Sequence, residues 1–228
     1  GKIRSFLNDA RMPHPSVVSY QAGATIVGRQ AKESLDNLSG SIIDNIVRSP
    51  KTMLGKGKLY VGGREMEPAA VIADLMSFLR SDAEKNDPGT GADFNLAVVS
   101  IPVDMGGRAR RELRDALLRA GIHVLQFVHE PLAAFYGHLK DQTDMQERLA
   151  YYEGKLILVF DWGGGTLDLT LCQVVEGTIT QLANRGDNHV GGDNLDEAIR
   201  SYVLERHANL HSLTELPPIH PGARAKLL

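Results

Sequence analysis

The chain has 228 residues, a formal net charge of −3, 43% hydrophobic residues and 23% charged residues. That composition excludes wholesale disorder and is enough for one large or two small domains. There is no basic stripe for nucleic acid or an anionic membrane surface, and no apolar run of membrane-spanning length. In chain order, residues 15–20 form a short β-rich run, and residues 24–28 follow a Gly23 turn as its hairpin partner. Residues 30–38 are helical in composition and end near Gly40. Residues 42–55 are apolar and then basic, broken by Pro50; Lys51 reads at first as an ordinary solvated lysine. Residues 55–63 read as a small glycine-punctuated hairpin. Glu67-Pro68 starts a helix, with Val71, Leu75, Phe78 and Leu79 at helical spacing through about Lys85. Residues 86–91 are a loop.

Residues 94–101 read as a buried strand stopped by Pro102. Residues 107–120 carry Leu113, Leu117 and Leu118 with arginines opposite, and Gly121 is a left-handed cap. Residues 123–128 are a strand and Glu130-Pro131 opens a helix. Strand, helix, strand, helix implies a crossover unit with parallel strands. Pro102 and Glu130 then fall at strand C-terminal ends, where ligand crevices form. Glu130 can equally be an acid that favours its helix dipole.

Residues 156–171 are the centre of the pattern: an apolar strand ending in Asp161, then Trp162, Gly163, Gly164, Gly165 and Thr166, then a strand containing Asp168. Glycines admit positive φ and close ligand approach, and their amides can converge on phosphate oxygens, with the Thr166 hydroxyl beside them. Asp161 and Asp168 suit a hydrated magnesium ion. A plain hairpin turn with two solvated acids is the other reading. Cys172, the single cysteine, lies in the second strand as a structural thiol; alone it forms no internal disulfide and fits a reducing compartment, here the cytoplasm. Residues 177–186 return as a third strand. Gly191 and Gly192 then open a helix with Leu195, Ile199, Tyr202 and Val203 on one face, a second candidate anion site. His189 reads as a loop histidine bonded to backbone, not a metal ligand. Gly1 in place of methionine, and a helical pattern that stops at Leu228, lead to the expectation of a fragment.

Phe160-Asp161-Trp162-Gly-Gly-Gly-Thr166-Leu-Asp168 resembles the second phosphate motif of actin-like ATPases. The block at residues 186–196 is similar specifically to the 70-kDa heat-shock chaperones. Ile101-Pro102, Arg110, Asp115, Gly121 and His129-Glu130-Pro131 resemble that family's connecting segment; residues 15–18, 27–28 and 51–55 add to the resemblance. It implies an α/β fold of the actin-like, ribonuclease-H-like kind, present in part. Residues 1–100 would be part of lobe one, 101–140 a connecting crossover segment, and 141–228 part of lobe two with the second phosphate motif. It implies ATP or ADP with Mg2+, and K+ as a further ion, in a slowly hydrolysing ATPase. Lys51 would orient the attacking water, and Glu130 would sense nucleotide through metal-bound water. Asp161 and Asp168 would serve the metal, with Asp161 and Thr166 counted in the catalytic set. Gly163, Gly164, Gly165, Thr166, Gly191 and Gly192 would hold the nucleotide. Pro102 and Arg110 would couple nucleotide state to a peptide-binding domain absent from this chain.

The implied partners are client polypeptide, a J-domain co-chaperone and a nucleotide-exchange factor, with neither nucleic acid nor membrane. Asn194, Trp162, the stretch 104–107 and Gln126 depart from the pattern, Gln126 near an arginine used for J-domain docking, which suggests a divergent member. The family's first phosphate loop and adenosine-clamping helix have no counterpart in residues 1–228, so weak or no ATP binding by this chain alone is expected. Two alternatives stay open: a bacterial actin-like filament protein of the rod-shape type, and a non-hydrolysing nucleotide sensor or scaffold.

Overall fold

The computed structural model describes residues 11–21, 23–36, 43–86, 94–140, 144–164, 166–187 and 190–212. Gly165, His189, most of the 86–91 loop, the end of the first helix near Gly40 and the last expected helix lie outside the described residues. The chain divides into two compact units, the first taking in residues 1–98 and 106–126 and the second 99–105 and 127–218.

In the first unit β1 (Val17–Gln21) pairs antiparallel with β2 (Ala24–Val27) and β3 (Ile46–Arg48), in the order β2-β1-β3. The register puts Val18 opposite both Val27 and Val47. Helix α1 (Arg29–Asp36) follows the hairpin. A second hairpin, β4 (Leu59–Val61) and β5 (Arg64–Met66), turns at Gly62-Gly63, both at positive φ. It lies later in the chain than the expected residues 55–63, because two consecutive left-handed glycines supply the hairpin turn there. Helix α2 (Pro68–Asn86) begins at its proline and lays Val71 and Leu75 onto Val18, Val27, Val47 and Val61. Tyr20 donates its hydroxyl to Asp74 Oδ2 at 2.8 Å; burial first, then that bond, pushes the phenol far above its ordinary pKa.

Helix α3 (Gly107–Arg119) packs on α2 through Leu113, Ala116 and Leu117. Leu118, expected on the apolar face, is 54% exposed, one residue too far round the helix. Gly121 (φ +74) caps α3, as its N–H donates to Leu118 O and Arg80 donates to the carbonyls of Ala120 and Gly121.

Strands β6 (Leu96–Ile101) and β7 (His123–His129) pair with each other. The expectation of a buried strand fails for β6. Ile101 is buried, but Leu96 and Val98 alternate to an exposed face. A short apolar run does not by itself say how many faces are covered.

In the second unit α4 (Glu130–Lys140) follows β7 directly. Helix α5 (Met145–Tyr152), which the pattern does not announce, is capped by Asp144, whose carboxylate accepts from the N–H groups of Gln146 and Glu147. Strands β8 (Leu156–Trp162), β9 (Leu167–Val175) and β10 (Thr178–Asp187) form an antiparallel sheet in the order β10-β9-β8. One face meets α4 and α5 in a core of Phe135, Leu139 and Val174, with Ile157 and Val159 against it. Cys172 is fully buried, as expected of a structural thiol, and that burial raises its pKa. The other face leaves Leu156, Leu158, Phe160 and Trp162 exposed. Helix α6 (Gly192–Leu210) likewise leaves Leu195, Ile199, Tyr202 and Val203 half-exposed or more. None of the described helices is long and apolar enough to cross a membrane.

Candidate functional site

The hairpin β8–β9 sets Asp161 directly opposite Asp168. Both are half-buried on the sheet face that carries Ile157 and Val159, where the strand period of two places them. Like charges facing each other across strands oppose folding unless a cation or hydrogen bonds offset them. Thr166 supplies one such bond, its hydroxyl donating to Asp168 Oδ2 at 3.0 Å. Gly186 lies opposite Asp168 on β10, and a Cβ there would stand 2.8 Å from Asp168 Oδ1. Glycine at 186 therefore makes the room in which the carboxylate sits.

The two glycine-rich segments meet. The Gly192 N–H donates to Gly163 O at 3.0 Å, and a Cβ on Gly192 would lie 3.5 Å from the Gly164 Cα. Trp162 closes the same seam from the side, its indole N–H donating to Val190 O at 2.7 Å. The Gly191 N–H donates to the Asn194 side-chain oxygen at 2.8 Å, and the Gly163 N–H to Thr166 O at 2.9 Å. The amides of Gly163, Gly191 and Gly192, expected to be free for an anion, are thus engaged internally. Phosphate contact through them requires these bonds to open.

Glu130 is the first residue of α4 and half-buried, and α4 packs on β8 and β9. The preceding residue ties the end of β7 to β10: the His129 ring bonds Gln181 Oε1 at 3.0 Å, at the β-bulge beside Gln181. Pro102 follows β6, half-buried, and its carbonyl accepts from the Met105 N–H.

Lys51 and Arg110 belong to the first unit. Lys51 is exposed on a 3-10 turn, Pro50–Met53. Ser49 enters that turn in the left-handed region (φ 47, ψ 52), which costs a non-glycine residue about 1 kcal/mol. The Thr52 N–H and hydroxyl both donate to its carbonyl. The far end of the turn is tied to α3, since the Gly55 N–H donates to Glu112 Oε2 at 2.7 Å. Arg110, half-buried, lies two residues before Glu112 on the same helix.

Two carboxylates and a hydroxyl are hard oxygen ligands and fit Mg2+, which takes few protein ligands and completes its shell with water and phosphate. Among the described residues no three acidic, histidine or cysteine side chains cluster, so a metal at this site rests on Asp161 and Asp168. Chain pattern alone does not single out Gly186, Gln181, Glu112 or Val190. Only Gly186 left a local trace, as a glycine inside a strand.

The family described as Hsp70 protein matches residues 45–214. The chain belongs to the Hsp70 family. It is 32% identical over 195 residues to the chaperone protein DnaK of Metamycoplasma hominis, covering 84% of this chain and 30% of that protein. With the chaperone protein DnaK of Ureaplasma urealyticum the identity is 33% over 193 residues, 84% of this chain and 29% of the relative. Against the chaperone protein DnaK of Thermosipho melanesiensis it is 29% over 201 residues, covering 87% and 31%. The chain thus spans about a third of the length of these Hsp70 relatives. Its α/β architecture is consistent with the actin-like ATPase domain of the Hsp70 family.

Proposed function

We propose that this chain is part of the nucleotide-binding domain of a divergent Hsp70-type chaperone, comprising part of lobe one and the core of lobe two. The observation that carries the reading is the pairing of Asp161 with Asp168, held by Thr166, on the strands that flank a glycine turn touching the Gly191-Gly192 helix start. Phosphoryl transfer needs positioning and charge neutralisation more than covalent help, and this arrangement offers both.

In this reading Asp161 and Asp168 hold the hydrated Mg2+ of bound ATP, which supplies charge neutralisation at the phosphates. Gly163 to Thr166, with Gly191 and Gly192, line the phosphates once their internal bonds open. Lys51, on its tethered turn, orients the attacking water, and Glu130, braced by His129 and Gln181, orders the water shell of the ion. Pro102 and Arg110 transmit nucleotide state to a peptide-binding domain outside this chain. The longer protein then couples slow hydrolysis to client-polypeptide binding in the cytoplasm, with a J-domain protein and a nucleotide-exchange factor as partners. A non-hydrolysing sensor is the second reading, favoured by the internally bonded amides of Gly163, Gly191 and Gly192.

Trp162, the single tryptophan, reports on the site. Mg-ATP and Mg-ADP are titrated against the 228-residue chain and against a chain extended to the length of the relatives. The expected result is a saturable fluorescence change in the extended chain that is lost in Asp161→Ala, with turnover lost in Lys51→Ala. Two folded chains that both fail to respond would refute nucleotide binding. Saturable binding without turnover would favour the sensor.

A further inference from the structure

We infer that His207 and His211 form a two-imidazole chelate, at the C-terminal end of α6, for a divalent transition ion of tetragonal preference, the Cu(II) or Ni(II) class. The pair lies one helical turn apart, so both side chains share a face. Both are exposed, and their ring centroids are 4.4 Å apart with the planes tilted by 50°. With a metal–nitrogen distance of about 2.0 Å and a ring centre about 1.1 Å behind each nitrogen, two imidazoles at a right angle have centres about 4.4 Å apart. At a tetrahedral angle the same construction gives about 5.1 Å, so the observed spacing matches a square or octahedral edge better than a zinc-type tetrahedron.

The setting favours a cation as well. His211 is the C-cap residue, its N–H donating to the His207 and Asn209 carbonyls, and the end of a helix carries partial negative charge. Among the described residues no third acidic, histidine or cysteine side chain joins the pair, so water completes the shell. The 50° tilt lies between the offset-stacked and edge-to-face arrangements that aromatic pairs favour. The inference is independent of the nucleotide reading, for it uses neither carboxylate nor glycine turn.

The test is titration of the 228-residue chain with CuCl2 and NiCl2 in a non-coordinating buffer, by calorimetry and, for copper, electron paramagnetic resonance. One ion per chain is expected, with Cu(II) tighter than Zn(II). His207→Ala or His211→Ala should each weaken binding by about tenfold or more, the chelate contribution. The copper spectrum should fall from two nitrogen couplings to one. Wild-type affinity in either variant, no saturation in the parent chain, or zinc binding as tightly as copper would overturn the assignment. Both side chains are exposed, and circular dichroism of His207→Gln and His211→Gln checks that lost binding is not lost helix.

Discussion

The turn that presents Lys51 hangs on Glu112, and replacing that carboxylate with an amide of the same shape isolates the charge. Glu112 accepts from the Gly55 N–H at 2.7 Å and from Arg108 Nε at 2.9 Å. Those contacts, the Gly55 amide first, hold its pKa below the usual 4.5. A hydrogen bond to a charged group contributes about 1.5–3 kcal/mol and a neutral one about 0.5–1.5, so Glu112→Gln at a quarter-exposed side chain should cost about 1 kcal/mol. A carboxyl whose folded pKa is depressed adds stability above its unfolded value and loses it as pH falls through the folded value. The gap between wild type and Glu112→Gln should therefore be about 1 kcal/mol at neutral pH and close towards zero at an acidic pH below the depressed folded value. Urea denaturation at both pH values measures it. The local counterpart is hydrogen exchange at the Gly55 amide, about fivefold faster in the variant at neutral pH if the loss is about 1 kcal/mol. An equal gap at both pH values, or unchanged Gly55 exchange, would refute the tether.

Gly121→Ala should cost about 2–3 kcal/mol, from left-handed strain plus the loss of Arg80's bonds to the end of α3, because a methyl there collides with Arg80 Nη1. In an Arg80→Ala background only the strain, about 1–2 kcal/mol, should remain, as a double-mutant cycle by urea denaturation would show. Thr170 is fully buried in β9 with its hydroxyl unpartnered, so Thr170→Val should stabilise by about 1 kcal/mol; a lower melting temperature would argue against it. Asp161→Asn removes one of two facing carboxylates: without Mg2+ it should gain about 0.5 kcal/mol, while the Mg-ATP response of the extended chain disappears.

Much of the site is readable from nearby residues because its chemistry is local. The strand ending at Asp161, the glycine turn and the strand through Asp168 are one hairpin, and a period of two puts both acids on one face. The glycine pair before α6 and the proline that starts α2 are equally local signals. Helix α5 leaves little trace in the sequence because its start is marked only by Asp144 and it has no buried residue to set a periodic apolar stripe.

By itself, then, the amino-acid order determined the α/β alternation, the glycine turns and the facing pair of carboxylates, all products of backbone freedom and side-chain period within a few residues. The tertiary structure alone decided which faces are covered, leaving β6 half exposed and Leu118 outside the α2–α3 contact. It also decided what holds the functional groups: Glu112 reaching Gly55 across 57 residues, and Gln181 reaching His129 across 52. It decided as well that three glycine amides are spent on internal bonds. These depend on strand register and helix docking, where one residue of shift or one third of a helical turn breaks the contact, and no local pattern records that choice.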